Sequence, residues 1–150
     1  MRAELRQIVK QADLTERQLQ WKASIVNVSS SQGLAAEPGF PSFAASSHAI
    51  VGMTRTSAAD YIKHGIRINC VNPGPTDTPE LEASGSKEKY LENLPLQREG
   101  VPEEVAAAVV FLLSPEASAI SRRRITCRLG MVAVSLLKSA MTMCVRHPGC

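Results

Sequence analysis

Aromatic side chains are scarce in this 150-residue chain: one Trp, two Tyr and three Phe, 4% of residues. A core must therefore be assembled from Val, Ile, Leu and Ala. No acidic residue follows Glu116, and no glycine precedes Gly33. The four cysteines, Cys70, Cys127, Cys144 and Cys150, show no metal-ligand spacing. That argues against a metal site and, with no apolar signal core at the N-terminus, reads as free thiols in the cytoplasm. The longest apolar run, residues 129–137, is too short to span a bilayer. Basic residues are not interleaved with aromatics, and no nucleic-acid motif is present, so neither nucleic acid nor membrane is an expected partner.

What is present is unevenly charged. Residues 1–116 carry 11 Lys/Arg against 14 Asp/Glu, and residues 117–150 carry 6 Lys/Arg and no acid. The break divides the expectation into a domain over residues 1–120 and a divergent basic tail over residues 121–150.

Within the first stretch, elements alternate. Residues 1–11 have helical apolar spacing, and residues 12–23 read as a loop. Residues 24–28 form a short β-rich run ending in Ser29-Ser30-Ser31, which suits a buried strand. Gly33 to Pro41 carries two Pro and two Gly and is a loop. Residues 41–64 are helical, closed by Gly65. Residues 66–71 (IRINCV) are a strand meeting Asn72-Pro73-Gly74. A short helix is expected over residues 87–93. Pro102 opens a strong helix whose Glu103 and Glu104 suit its positive end, and whose broad apolar face is expected to be buried. Helix, strand, helix, strand, loop, helix implies an α/β fold with a parallel sheet flanked by helices. In such sheets, function sits beyond the C-terminal strand ends.

Three blocks converge there: NVSS at a strand end, a helix opening 13 residues after Ser30, and NPGPTDTP after the next strand. With VPEEVAAAVVFLLSPEAS, they resemble the C-terminal half of a short-chain dehydrogenase/reductase over roughly residues 1–120. The resemblance implies a partial Rossmann-like fold lacking the N-terminal nucleotide-binding half. It also implies descent from an NAD(P)-dependent oxidoreductase of small carbonyl or alcohol metabolites, secondary metabolites included.

In that family, the serine at the Ser30 position bonds the substrate oxygen, and a tyrosine 13 residues later moves the proton. A lysine four residues further on lowers the tyrosine pKa and holds the nicotinamide ribose. A free phenol titrates near about 10, so it needs that cation. Here the tyrosine position is Phe43 and the lysine position is Ser47. Losing a positioned acid–base group costs about 100- to 10,000-fold. His48 lies about 100° around the helix from Ser47 and should point elsewhere. A Ser30–His48 hydrolase pair lacks both the nucleophile turn and an orienting acid.

Pro73, Gly74 and Thr78 fit the family loop that meets the nicotinamide end of the cofactor. The equally weighted local reading is that Pro-Gly turns the chain and Asp77 or Thr78 caps a short helix. The family's glycine-rich turn is absent, so NAD or NADP follows from resemblance alone. The family pattern also calls for a last strand after Ile120. The tail has two readings: out-of-frame or unspliced translation, or a divergent segment with a short helix over residues 132–143.

The leading expectation is a truncated, inactive homologue. Its rivals are an active oxidoreductase completed by a partner or a longer gene product, and a non-catalytic subunit joining intact relatives. Homo- or hetero-oligomerisation is expected through the helix from Phe43 to His64. The strand over residues 24–28 is expected to expose an unpaired edge.

Overall fold

The computed structural model describes residues 2–9, 21–85, 87–92, 94, 96–122 and 124–125. Most of the expected loop over residues 12–23 and all of the expected helix over residues 132–143 lie outside them. The elements are α1 (Arg2–Val9), β1 (Ala23–Val28), α2 (Pro41–Tyr61), β2 (Ile66–Val71), α3 (Pro79–Ala83), α4 (Lys87–Glu92), α5 (Pro102–Leu113) and β3 (Arg124–Ile125). Single 3-10 turns follow β1, α2 and α5.

The sheet order is β1-β2-β3, all parallel. Ala23 pairs with Ile66 and Val28 with Val71, in unbroken register. Parallel neighbours need a long crossover, and α2 supplies it. Gly65 ends that crossover with φ 71°, the left-handed conformation that a glycine adopts without steric cost.

β2 is the centre of the molecule, and every one of its residues is buried. Ile66 and Ile68 pack with Leu5 of α1 and Ala58 of α2. Val71 packs with Leu112 and Ala117 at the far end of α5. Strand side chains alternate between faces, so α1 and α2 cover one face of the sheet and α5 the other. That is the layered arrangement of a doubly wound α/β fold.

Arg67 is the polar centre of the α5 side. It is 3% exposed, and burial pulls its pKa down. Its guanidinium donates to the carbonyls of Leu112 at 2.9 Å, Ser114 at 3.0 Å, Ile120 at 3.3 Å and Leu113 at 3.4 Å. The last turn of a helix leaves carbonyls without intrahelical partners and carries partial negative charge. Arg67 answers both. Ser24 Oγ also donates to Leu112 O at 2.9 Å, and Asn69 Nδ2 to Ile120 O at 2.9 Å.

At the other end of α5, Glu104 accepts from the Val101 backbone N–H at 2.9 Å. Arg98 grips the same carboxylate with two nitrogens at 2.7 and 3.0 Å. These bonds, led by Arg98, hold the Glu104 pKa down to about 2.

Two expectations change. The apolar face of α5 is only partly buried: Leu112 is enclosed, while Phe111, Leu113 and Val110 (65% exposed) face outward. A sheet this narrow covers less than the helix circumference that the sequence makes apolar. β1 is partly exposed along its length rather than buried, because it is an edge: among the described residues no strand pairs with its other side. Beyond Ile120, Arg124–Ile125 adds a short parallel strand beside β2.

Candidate active site

The site lies where β1 and β2 end. Ser29 N–H donates to Val71 O at 2.9 Å, which continues the sheet by one residue, and Ser31 N–H donates to Pro73 O at 2.7 Å. The serine run and the Asn-Pro-Gly turn are thereby laced side by side. Ser30 caps the 3-10 turn over Ser31–Gly33, its Oγ accepting from Gln32 N–H at 3.2 Å. A hydroxyl that accepts in this way keeps its own proton to donate.

α2 closes against this turn through its backbone. Ser29 Oγ donates to Ser47 O at 2.9 Å. A Cβ on Gly33 would stand 2.8 Å from that same carbonyl and 2.9 Å from Ser29 Oγ, so the close approach needs a residue without a side chain. Thr78 sits at the N-terminus of α3, its Oγ1 accepting from Leu81 N–H at 3.4 Å and donating to Thr76 O at 3.3 Å. The helix-cap reading of Thr78 is therefore present in the structure.

Between these elements lies a cleft of about 570 Å³. Ser30, Phe43, Pro73, Gly74 and Thr78 all line it. Ser47 does not: it is 3% exposed and packed beneath the serine turn. Phe43 stays 44% exposed at the opening of α2. His48 is absent from the lining, and its Nδ1 lies 2.9 Å from Ala44 O, one turn back on its own helix. Ser30 and His48 are not brought together as a hydrolase pair.

Among the lining residues that escaped sequence reasoning are Gln32, Glu37 and Phe40. They belong to the turn and loop between β1 and α2, where no periodicity announces a direction. Glu80 of α3 also reaches the cleft. Among the described lining residues, the ionisable side chains are Glu37 and Glu80, with no Lys, Arg, His or Tyr.

The full length of this strand-and-turn framework has relatives. Residues 1–131 match the family model described as enoyl-(acyl carrier protein) reductase. A short-chain dehydrogenase of Aspergillus ruber is 39% identical over 105 residues, 67% of this chain and 38% of the relative. A 3-oxoacyl-[acyl-carrier-protein] reductase of Thermotoga maritima is 42% identical over 115 residues, 75% of this chain and 47% of the relative.

This chain belongs to the short-chain dehydrogenase/reductase family.

Its fold agrees with that membership. A 4-hydroxyisoleucine dehydrogenase complexed with NADH superposes with a TM-score of 0.68 at 31% identity, over 73% of this chain and 47% of that one. The chain spans less than half the length of these relatives. Family membership brings a nicotinamide dinucleotide into consideration, and the described residues do not fit one. Among the described lining residues there is no Lys or Arg to meet ribose or phosphate, Glu37 and Glu80 do line the cleft, and the lysine position is the buried Ser47. Among the described residues, no helix is long and apolar enough to cross a membrane.

Proposed function

We propose that this member of the short-chain dehydrogenase/reductase family is a ligand-binding pseudoenzyme, descended from an NAD(P)-dependent oxidoreductase of small carbonyl or alcohol metabolites. One observation carries the reading. The cleft retains the Ser30 hydroxyl but has Phe43 where a proton donor belongs. Phenylalanine keeps the ring and has no proton to move. Ser47, buried under the turn, has neither charge nor access. Ser30 would still hydrogen-bond a ligand oxygen or nitrogen, and Pro73, Gly74 and Thr78 would shape the opposite wall without gripping a cofactor.

The reading extends to partners and setting. Phe43 and Met53 on α2, and Ile62 just beyond it, are large apolar side chains left exposed. Pairing through this helix, with a second copy or with an intact relative, would cover them. A non-catalytic subunit of a cytoplasmic metabolite-tailoring complex, secondary metabolism included, is the setting that suits such a chain.

Stopped-flow or steady-state absorbance at 340 nm, with NADH and NADPH and a panel of small ketones and quinones, tests the catalytic half. No saturable oxidation is expected from the purified chain, alone or paired. Turnover that appeared only with an intact relative, and vanished on Ser30→Ala in this chain, would establish instead an oxidoreductase completed by its partner. Light scattering on Phe43→Ser and Met53→Ser variants tests the pairing, which should weaken in both.

A further inference from the structure

We propose that Lys87 is a positioning residue: its ion pairs with Glu99 and Asp77 hold α3 in place as a wall of the cleft, so that charge rather than buried packing sets how closed the cleft stands. The proposal rests on the reading of this cleft as the chain's binding site, and it names what controls the shape of that site.

α3 has no anchor in the core. Thr78, Glu80, Leu81 and Ser84 line the cleft, yet none of the five residues of α3 is buried. A helix this short does not persist on its own hydrogen bonds, and a segment with little burial opens easily. Its position must therefore be set at its ends. The first end is strapped by backbone. Asp77 N–H donates to Gly100 O at 2.8 Å, and Gly100 N–H to Pro75 O at 3.0 Å. Thr78 then caps the helix.

The second end returns to the same strap through a side chain. Gly85, with φ 62°, turns the chain out of α3 in a conformation that glycine adopts freely. Two residues later Lys87 opens α4. Its Nζ lies 2.6 Å from Glu99 Oε1 and 4.0 Å from Asp77 Oδ1. Asp77 and Glu99 both border the Thr76–Gly100 bridge. One ammonium thus closes a loop over residues 77–87 with α3 inside it. The Lys87 and Glu99 side chains are 31% and 18% exposed, so solvent and salt screen this pair less than an open surface contact.

The charges around Lys87 are one-sided. The hydrogen bond to Glu99 does most to raise its pKa, and the charges of Glu99, Asp77 and Glu82 add to it. Glu82 belongs to α3 itself. Arg98 is engaged by Glu104 through two bonds. Without the Lys87 ammonium, Glu82 is left with the like charges of Asp77 and Glu99. Removing Lys87 therefore releases α3 and sets it under repulsion together.

Native-state amide exchange, read by NMR on the full chain, tests the pin. Leu81 and Glu82 N–H bond to Thr78 O, and Gly85 N–H to Glu82 O, so these three amides report the opening of α3. Lys87→Met is expected to speed them about threefold, the scale of a partly shielded ion pair, while the amides of β2 keep the parent rate. Lys87→Arg, which keeps the cation, should restore the parent rate. Salt at about 0.5 M should speed α3 exchange in the parent by screening the pair, and slow it in Lys87→Met by screening the remaining carboxylates. The link to the cleft is read with a neutral probe, cyclohexanol, followed through the Ser30 and Gly74 amides. At about ten times its Kd it should slow the α3 amides about tenfold, because a ligand held by the closed wall opposes opening.

Unchanged α3 exchange in Lys87→Met, equal acceleration in α3 and β2, no rescue by arginine, or one sign of salt response in both chains would each overturn the proposal. So would cyclohexanol that binds without slowing α3. The two readings fail separately. A parent chain with no cyclohexanol shift at Ser30 or Gly74 would refute the binding site, and the exchange rates of Lys87→Met decide the pin in either case.

Discussion

Arg67→Met removes the cation that closes the C-terminal end of α5. Of its four acceptors, Leu112 O retains Ser24 Oγ and Ile120 O retains Asn69 Nδ2. Ser114 O retains the Ala117 N–H at 3.3 Å. The variant therefore loses two short charge-assisted bonds, at 2.9 and 3.0 Å, and two longer ones. Bonds to a charged group are worth about 1.5–3 kcal/mol each, so the short pair sets a loss of about 3–6 kcal/mol. Burying a guanidinium is itself costly, and Arg67 Nε already lacks a partner. Met fills similar volume without that penalty, which returns part of the loss. The net expectation is destabilisation by about 3 kcal/mol, a large share of the 5–15 kcal/mol typical of a domain. Urea unfolding followed by far-ultraviolet circular dichroism reads it directly. With a slope of about 1.5–2 kcal/mol per molar for a domain of this size, the midpoint should fall by about 1.5–2 M. Arg67→Lys should recover less than half, because an ammonium cannot fork across three successive carbonyls. A midpoint for Arg67→Met within about 0.3 M of the parent would refute the reasoning. So would full recovery by lysine.

Other substitutions follow from the site. Gly33→Ala places a methyl 2.8 Å from the Ser47 carbonyl and should cost about 2 kcal/mol while shifting the Gln32 amide resonance; an unchanged melting curve would contradict the close packing. Ser47→Lys inserts a long cationic chain at a position 3% exposed and should destabilise by about 3 kcal/mol; a stable variant with a low-lying lysine accessible to acylation would show that the pocket was already prepared for it. The Glu104 carboxyl, held down to about 2 by Arg98 and the Val101 N–H, stabilises the fold above its ordinary value near 4.5 and loses that contribution as pH falls from there toward 2. The pair is exposed, so the effect is small and weakens with salt. Acid unfolding of Glu104→Gln should show a shallower pH dependence through that window; an identical acid profile would refute the link.

Much of the scaffold could be read before folding because its signals are local. Gly65 after a helical stretch, Pro102 with two glutamates behind it, and the alternating pattern of β2 each act within a few residues of themselves. The site was legible in part for the same reason: the serine turn, the Pro-Gly turn and the opening of α2 follow from chain order and spacing. What escaped depended on distant contacts. Arg67 inside IRINCV looks like the outward residue of an alternating strand, and only the packing of α5 against that face makes it a helix cap. The face of α5 that stays exposed depends on how wide the sheet is, which no helical period records. Gln32, Glu37 and Phe40 became cleft residues because the loop from β1 folds back over the strand ends. Ser47 was read by its side chain, and its contribution to the site is its backbone carbonyl.

Among its described lining residues the cleft keeps the Ser30 hydroxyl and has no Tyr, Lys, Arg or His beside it. Purified chain, freed of endogenous reductases, should leave NADH and NADPH absorbance at 340 nm unchanged with every ketone offered, and Ser30→Ala should match it. Saturable dinucleotide oxidation that Ser30→Ala abolishes would contradict the account.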